Sequence, residues 1–253
     1  MRTQPALIFI PTYNEAENAA LLFEEIKKLR LPADVVFMDD NSPDGTGAII
    51  DGLAEINPQL TALHRTGKLG IGSAHQEGIK YAYSLGYETL ITLDCDFTHQ
   101  PENIPELLNN NEGYEVIITS RYMLKGSLAG WNLMRKTLTH LGHLFTGIFL
   151  NMSFDATGSF RLYKINKIPY EAFSLVSSKG YSFFYESLYI LNLNGCRIKE
   201  IPIKLSPRTY GSSKMRFKDA WDSFFLLVEI YLRSKFNRKK FLIADSVIRK
   251  NKI

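Results

Sequence analysis

Residues 87–96 read Tyr87-Glu88-Thr89-Leu90-Ile91-Thr92-Leu93-Asp94-Cys95-Asp96. The apolar run predicts a buried strand, and two carboxylates one residue apart follow it directly. No lysine or arginine lies within several sequence positions of Asp94 or Asp96, so burying both charges would be costly without a neutralising cation. Mg²⁺ and Mn²⁺ accept a few carboxylate oxygens and keep other positions open for phosphate. The pattern is compatible with a solvated turn at a strand end or with a divalent metal site.

The chain on either side of this strand alternates strand and helix patterns. Short apolar runs predict further strands at 6–10, 35–38, 61–64 and 115–119. Helical spacing of apolar residues predicts helices at 15–29, 46–56, 72–85 and 101–108. This order favours an α/β fold with a mostly parallel, Rossmann-like sheet and flanking helices.

Polar residues follow three of these strands at the point where each strand ends. They are Thr12-Tyr13-Asn14-Glu15, Asp39-Asp40 and the pair Asp94 and Asp96. Polar turns follow strands in every α/β protein, so each cluster alone carries little weight. Because the carboxyl ends of parallel strands meet at one edge of a sheet, three acidic clusters there indicate a ligand site.

The second half of the chain is less regular. Apolar spacing predicts helices at 133–149 and 180–193, and 195–205 is typical of a strand pair interrupted by Pro202. An apolar stripe at helical spacing follows, formed by Phe217, Trp221, Phe224, Phe225, Val228, Tyr231 and Leu232. Such a carboxyl-terminal amphipathic helix either docks on the core or lies in a membrane surface. We therefore divide the chain into a catalytic domain at 1–216 and an amphipathic, interfacial helix with a basic tail at 217–253.

Composition excludes several classes of protein. The 253 residues carry a formal net charge of +4, with 45% hydrophobic and 22% charged residues, as in ordinary globular domains. Two cysteines give no disulfide framework, which favours a reducing compartment. No stretch reaches the ~18–20 apolar residues needed to cross a bilayer. The basic end suits nucleic acid, anionic lipid or an anionic substrate, and charge alone does not choose among them.

Three segments resemble the family 2 glycosyltransferases, which have the GT-A fold. Ile10-Pro11-Thr12-Tyr13-Asn14-Glu15 resembles their opening P-x-Y-N-E motif. Asp39-Asp40-Asn41-Ser42-Pro43-Asp44-Gly45-Thr46 resembles their second nucleotide-binding element, and Asp94-Cys95-Asp96 takes the place of their metal motif.

Within that family the chain is most similar to the dolichol- or polyprenol-phosphate mannosyltransferases. The segments that carry this closer resemblance are Lys68-Leu69-Gly70-Ile71-Gly72-Ser73-Ala74, Ser120-Arg121-Tyr122, Gly130-Trp131 with Arg135-Lys136, Gly180-Tyr181-Ser182-Phe183 with Glu186, and Glu200-Ile201-Pro202-Ile203 followed by Arg208, Gly211, Ser213 and Lys214. Two positions depart from the family pattern. Thr98 stands where a residue that often joins the metal shell is found, and Asp155-Ala156-Thr157-Gly158-Ser159-Phe160-Arg161 stands in place of D-x-T-S-G-F-R. The moved glycine predicts a reshaped loop that needs a positive φ.

The resemblance implies a role for each candidate residue. Asp94 and Asp96 are the metal ligands for Mg²⁺ or Mn²⁺, and the implied catalytic residues are Asp96, Arg121 and Arg135. The residues implied for nucleotide binding are Pro11, Tyr13, Glu15, Asp39, Asp40 and Lys68. Those implied for the acceptor phosphate are Ser120, Arg121, Arg135, Arg208 and Lys214. Asp39 and Glu15 also suit structural roles, as a turn residue and a helix-capping acid.

The implied activity is that of a metal-dependent, inverting hexosyltransferase that moves mannose from GDP-mannose to a polyprenyl (dolichyl-type) monophosphate. A phosphate monoester is already ionised near neutral pH, so such an enzyme needs cations and alignment more than a general base. The expected location is cytoplasmic, with peripheral association at the cytoplasmic face of a membrane. Whether a separate membrane-anchoring subunit takes part is left open.

Two alternatives stay open at this point. The first is a family 2 transferase that uses UDP-glucose or another sugar nucleotide, for a polyprenyl phosphate or a surface glycan. The second is a non-catalytic nucleotide- or RNA-binding domain that uses the basic end. The second gives no reason for two carboxylates at a strand end, so no nucleic-acid partner is expected.

Overall fold

One seven-stranded sheet organises the described part of the chain. The computed structural model describes residues 4–131, 133–206 and 217–244. The strands are β1 (Ala6–Thr12), β2 (Ala33–Asp39), β3 (Leu60–His64), β4 (Thr89–Thr92), β5 (Val116–Ser120), β6 (Arg161–Tyr163) and β7 (Ile198–Pro202). Their order across the sheet is β3-β2-β1-β4-β6-β5-β7.

Helices cover the sheet and connect its strands. They are α1 (Ala16–Lys28), α2 (Thr46–Ile56), α3 (Ile71–Ser84), α4 (Ile104–Asn109), α5 (Leu133–Leu150), α6 (Tyr170–Ser174), α7 (Phe183–Leu193) and α8 (Phe217–Phe236). Short 3₁₀ turns lie at Pro101–Asn103 and Arg238–Phe241. Because strands and helices alternate from β1 to β4, the predicted α/β class is confirmed.

The direction of β6 sets the geometry of the sheet edge. β1 runs parallel to β2 and β4, β2 to β3, and β5 to β7. β6 is antiparallel to both of its neighbours, and Arg161 at its amino end lies opposite Thr92 of β4 and Ile118 of β5. The chain that enters β6 therefore arrives at the same edge where β4 and β5 end.

Both faces of the sheet are buried under helices. Along β1, Leu7 and Phe9 belong to one core cluster, whereas Ile8 and Ile10 belong to the other. This alternation with the strand period of two predicts helices on both sides, as in other parallel sheets. One cluster includes apolar residues of α1, α2 and α4, and the other includes those of α3, α6 and α7.

α8 is anchored on the second of these clusters. Leu227 and Ile230 are buried there, and so are Phe241 and Ile243 of the segment that follows the helix. Asn194 at the end of α7 holds that segment at both ends, because its Nδ2 donates to the Phe241 carbonyl at 2.7 Å and its Oδ1 accepts from the Ile243 N–H at 2.9 Å. No helix among the described residues is both long and apolar enough to cross a membrane.

Two predictions about the sheet were wrong. The strand pair expected at 195–205 is a single strand, β7, and β6 was not expected at all. β6 has three residues and contains the buried Arg161, so it shows neither an apolar run nor an alternating pattern.

The glycines of the segment 68–74 are required by a close contact between two distant loops. Gly70 has φ of +101°, and a Cβ there would lie 2.4 Å from the Lys179 carbonyl oxygen. The Ser73 N–H donates to that same carbonyl at 3.0 Å, so the backbone at 179–180 caps the start of α3. Two segments that resemble family motifs, separated by about a hundred residues, are thus parts of one packed unit.

We expect Gly72→Ala to destabilise the fold by about 2 kcal/mol or more, because overpacking a tight contact forces backbone shifts. A Cβ at Gly72 would lie 2.6 Å from the Gly180 carbonyl oxygen and 2.7 Å from the Cβ of Phe183. The matched control is Gly52→Ala in α2, where nothing lies within 4 Å of the new Cβ. That change should stabilise by about 0.5–1 kcal/mol through helix propensity. Urea unfolding measures both, and equal stability of the two variants would contradict the packing argument.

Candidate active site

The loops after β1 and β2 are tied together at the sheet edge. Thr12 lies opposite Asp39 in the parallel register. The Asn14 N–H donates to the Ser42 hydroxyl at 2.9 Å, and the Glu15 N–H donates to the Thr46 hydroxyl at 2.9 Å. These bonds fix the backbone of the opening motif against the second motif, so both loops form one wall at this edge of the sheet.

The two aspartates after β2 have different partners. Asp39 accepts the Ser42 N–H at 3.0 Å, which closes a turn within its own loop. Asp40 forms a buried ion pair with Arg65, with 2.7 Å between its Oδ1 and Nη1. Burial raises the pKa of Asp40, although Arg65 acts in the opposite direction. Asp39 therefore has the structural contact foreseen as its alternative role, and Asp40 is held by a cation that the sequence analysis did not select.

The other predicted nucleotide-binding residues lie around the same wall. Glu15 is buried and accepts the Asn18 amide at 2.7 Å, and Pro11 is buried within β1. The Lys68 ammonium lies 4.4 Å from the centre of the Tyr13 ring, a cation–π contact between the loop after β1 and the loop before α3. The structure thus brings Tyr13 and Lys68 together, and their nucleotide-binding role stays a prediction.

Asp94 and Asp96 lie in the turn after β4. The Asp94 side chain is 33% exposed, and its Oδ2 accepts the Ser159 hydroxyl at 2.6 Å. Asp96 is buried, and its Oδ1 accepts the Thr98 N–H at 2.9 Å. In residues 4–131, 133–206 and 217–244, no group of three or more His, Cys, Asp or Glu side chains is arranged to hold a metal ion.

These two carboxylates nevertheless fit the way in which Mg²⁺ and Mn²⁺ are bound beside phosphates. Such ions take one or two carboxylates from the protein and complete their shell with water and substrate oxygens. The Asp94 side chain is partly exposed at the edge of the sheet, and the buried Asp96 follows two residues later in the same turn. A metal ion held by these two carboxylates would need water or substrate oxygens to complete its shell. Thr98 contributes its backbone N–H to Asp96.

Arg121, directly after β5, is fixed by an acid from the loop before β6. Its Nε lies 2.7 Å from Asp155 Oδ2, its Nη2 lies 3.0 Å from Asp155 Oδ1, and Nη2 also donates to the Thr157 hydroxyl at 2.9 Å. Burial disfavours the charged form, but attraction to Asp155 outweighs it and raises the pKa of Arg121. Burial likewise opposes the Asp155 carboxylate, and Arg121 nevertheless holds the pKa of Asp155 below its usual range. The pair keeps a cation in one orientation at the sheet edge.

The expectation of a positive φ in this loop was wrong. Gly158 is not among the glycines with a positive φ. A Cβ at Gly158 would lie 3.4 Å from Arg121 Nη2, which is close to ordinary van der Waals contact, so Gly158 lies beside the guanidinium.

The remaining predicted acceptor residues are placed as follows. The guanidinium carbon of Arg135 lies 3.4 Å from the centre of the Trp131 ring, so Arg135 is stacked. The Ser120 hydroxyl is buried and has no hydrogen-bond partner among the described residues. Arg208 and Lys214 lie outside the described residues.

The buried His99 borders the turn that carries Asp94 and Asp96, because its Nδ1 lies 4.0 Å from Asp94 Oδ2. Burial lowers the pKa of His99 to about 4, so the imidazole is neutral at pH 7. The charges of Asp96 and Asp155 act in the opposite direction and favour the charged ring.

Sequence reasoning missed four residues of this site. They are Arg65, Lys136, Asp155 and Ser159, which contact or neighbour Asp40, Arg121 and Asp94. Lys136, Asp155 and Ser159 lie within segments compared with family motifs, but nothing in the sequence indicated which group each would meet.

Comparisons with known proteins show the family of the chain. The model of glycosyl transferase family 2 matches residues 7–181 of the chain. The chain is 32% identical over 241 residues to polyprenol monophosphomannose synthase of Mycolicibacterium smegmatis, covering 94% of this chain and 91% of that protein. It is 35% identical over 210 residues to undecaprenyl-phosphate mannosyltransferase of Micrococcus luteus, covering 83% of this chain and 86% of that protein.

Solved structures share the fold at low sequence identity. Mannosyl-3-phosphoglycerate synthase from Rubrobacter xylanophilus superposes with a TM-score of 0.67 over 91% of this chain and 74% of that chain, at 14% identity. This likeness concerns the fold alone, and it confirms the predicted GT-A architecture.

We expect Asp155→Asn to destabilise the protein by about 3–5 kcal/mol, because it leaves the buried Arg121 charge uncompensated. The matched control is Glu229→Gln, which removes the acid of an exposed helical pair with Arg233 and should change stability by about 0.5 kcal/mol or less. Because the pKa of Asp155 is lowered by folding, its contribution is present at pH 7 and is lost as the pH falls below about 4. Urea unfolding of the wild type and both variants, at pH 7 and below about pH 4, measures these free energies. If Asp155→Asn loses no more stability at pH 7 than Glu229→Gln does, the prediction is contradicted.

Proposed function

The chain belongs to glycosyl transferase family 2, and from that premise we propose that it transfers mannose from GDP-mannose to a polyprenyl monophosphate, with inversion and with a divalent metal. Family membership makes the chain a hexosyltransferase, so the non-catalytic nucleotide- or RNA-binding alternative is wrong. Two relatives that match most of the chain are named for mannosyl transfer to polyprenyl phosphates. The residues of the candidate site supply further support.

A cavity beside Arg121 is the main observation that supports a polyprenyl phosphate as the acceptor. It has a volume of about 280 Å³ and lies between the loop after β5 and the first turns of α5. Its lining includes Arg121, Tyr122, Leu124, Ser127, Leu128, Lys136 and His140. Arg121 and Lys136 offer positive charge to an anionic head, while Leu124 and Leu128 offer an apolar wall to the alkyl chain attached to it. This pairing of cations with apolar walls suits a lipid phosphate better than a sugar hydroxyl.

The protonation states of the site suit an acceptor that is already an anion. His99 is neutral at pH 7, and its ring is buried near Asp94. Arg121 is charged because a guanidinium stays protonated in proteins, and attraction to Asp155 raises its pKa further. It can therefore align the acceptor oxygen without exchanging a proton. The proposed reaction therefore needs alignment and charge compensation from Arg121 and Lys136, and no proton transfer from the acceptor.

Asp94 and Asp96 are the residues that we propose for the metal and the leaving group. A divalent ion bound there would neutralise the charge that develops on the leaving diphosphate. The wall formed by Tyr13, Lys68 and Asp40 lies at the adjacent strand ends and suits the nucleoside part of the donor. Attack by the acceptor from the Arg121 side, opposite that leaving group, gives inversion.

We expect turnover with GDP-mannose and a short-chain polyprenyl phosphate in the presence of Mn²⁺ or Mg²⁺, and loss of turnover on chelation. Asp94→Asn should lower kcat/KM by about 100-fold or more, since metal stabilisation of the leaving group supplies several kcal/mol. The control is Glu25→Gln, an exposed acid that pairs with Lys28 near the end of α1 and should leave the rate unchanged. Radiolabelled GDP-mannose, UDP-glucose and other sugar nucleotides are tested singly. Turnover with only a UDP-sugar, or a glycan product without a lipid-linked sugar, would favour the alternative donor or acceptor.

We also propose that the paired helices α5 and α8 place the enzyme on a membrane surface, at its cytoplasmic face. The helices pack through aromatic contacts, with 5.2 Å between the ring centres of Phe145 and Phe224. Large apolar side chains of both helices remain exposed, namely Leu133, Met134, Leu138, Leu141, Leu144, Ile148, Trp221, Phe225, Leu232 and Phe236. Arg238-Lys239-Lys240 follows α8 and would attract anionic lipid. A separate membrane-anchoring subunit is not needed for this arrangement, and binding by the isolated chain tests it.

We expect the isolated chain to sediment with vesicles made of equal parts phosphatidylglycerol and phosphatidylcholine. Trp221→Asp with Phe225→Asp should weaken that binding by about 10-fold or more, because each ring is worth about 1.5–3 kcal/mol when buried in apolar surroundings. The matched control is Ile56→Asp, an exposed apolar residue at the end of α2, away from both helices. Equal binding by wild type and the double variant would exclude this surface as the membrane contact.

A further inference from the structure

The antiparallel pairing of β4 and β6 places residue 159 directly across from Asp94. In the observed register Leu90 lies opposite Tyr163 and Thr92 opposite Arg161. Continued by two residues, the same register sets Asp94 opposite Ser159. The contact agrees, because the Ser159 hydroxyl donates to Asp94 Oδ2 at 2.6 Å. Ser159 is thus a cross-strand neighbour of an aspartate of the metal motif.

Ser159 is itself held rigidly. It is 5% exposed, and its carbonyl oxygen accepts the Thr92 hydroxyl. The Arg161 guanidinium donates to the Ala156 carbonyl at 2.9 Å and so fixes the same short loop from its other side. The hydroxyl that reaches Asp94 is therefore carried by a backbone with little freedom to move.

The order of residues at 157–159 decides whether a hydroxyl stands opposite Asp94. The pattern D-x-T-S-G-F-R would place glycine opposite Asp94, and no side chain could then reach the carboxylate. In this chain Gly158 instead stands beside the Arg121 guanidinium, and Ser159 faces Asp94. Serine at position 159 therefore gives Asp94 a hydrogen-bond donor that glycine at this position could not supply.

We propose that Ser159 is a positioning residue that fixes the Asp94 carboxylate for a divalent ion. This inference rests on the metal-dependent function proposed above. Hydrogen bonds to a ligating carboxylate fix its orientation, and their loss commonly costs about 10–100-fold in metal affinity. A carboxylate oxygen has two lone pairs, so Oδ2 can accept the hydroxyl and still bind an ion. His99 does not replace this contact, because its Nδ1 lies 4.0 Å from Asp94 Oδ2.

The test measures Mn²⁺ binding by electron paramagnetic resonance in the presence of GDP, for wild type, Ser159→Ala, Ser159→Gly and Ser159→Thr. We expect Ala and Gly to weaken Mn²⁺ binding by about 10-fold, and Thr, which keeps the hydroxyl, to retain the wild-type affinity. In turnover assays the Ala variant should raise the Mn²⁺ concentration needed for half-maximal rate, with kcat at saturating Mn²⁺ little changed. A general loss of structure would instead lower kcat and the unfolding midpoint measured without metal.

The control is Ser84→Ala, which removes an exposed hydroxyl that donates to the Tyr81 carbonyl and should bind Mn²⁺ as wild type does. Wild-type affinity in both Ser159→Ala and Ser159→Gly would overturn the proposal, and so would a threonine variant as weak as alanine. Failure of the proposed function gives a different result, in which wild type itself binds no Mn²⁺ or Asp94→Asn binds it unchanged.

Discussion

The reversed direction of β6 is the constraint on which the site depends. A fully parallel sheet would bring only the carboxyl ends of its strands, and the loops that follow them, to the active edge. Because β6 runs antiparallel between β4 and β5, the loop before it also reaches that edge. This loop supplies Asp155 to Arg121 and Ser159 to Asp94, so one short reversed strand gives an acid to the cation and a donor to the metal motif.

Two buried charges at this edge of the sheet are paired with charges of opposite sign. Arg65 neutralises the buried Asp40, and Asp155 neutralises the buried Arg121. A buried charge without a partner would destabilise the fold. Each of these charges has a partner of opposite sign, and the ion pair also fixes its orientation. At Asp94 and Asp96 the described hydrogen bonds come from a hydroxyl and a backbone N–H of the protein, which orient the two carboxylates.

Much of the fold follows from local patterns in the sequence. α2 occupies 46–56 as predicted, and the strands before Asp39 and Asp94 lie where apolar runs placed them, because burial on both faces leaves a continuous signal. β6 could not be found in this way, since three residues around a buried arginine carry no period. The same limit applies to the site, where the ends of strands predict the positions of Asp94 and Asp40. Arg65 is 25 residues from its partner Asp40, and Asp155 is 34 residues from its partner Arg121. Only the order of strands in the sheet brings these partners together. The resemblance to a family predicted roles for the site residues, whereas their ion-pair and hydrogen-bond partners became known only from the structure.

α5 links the two parts of the proposed task. Its first turns carry Lys136 and His140 to the cavity beside Arg121, and its later turns expose Leu144 and Ile148 on the surface that it shares with α8. A lipid phosphate has its charge at one end and a long apolar chain at the other, so its two ends need different surroundings within a short distance. A single straight helix meets this need, because a cation-bearing turn at the cavity and an apolar face toward a membrane lie on one rigid element. The acceptor head could thus reach Arg121 while its chain stays beside the apolar surface, without any opening of the core.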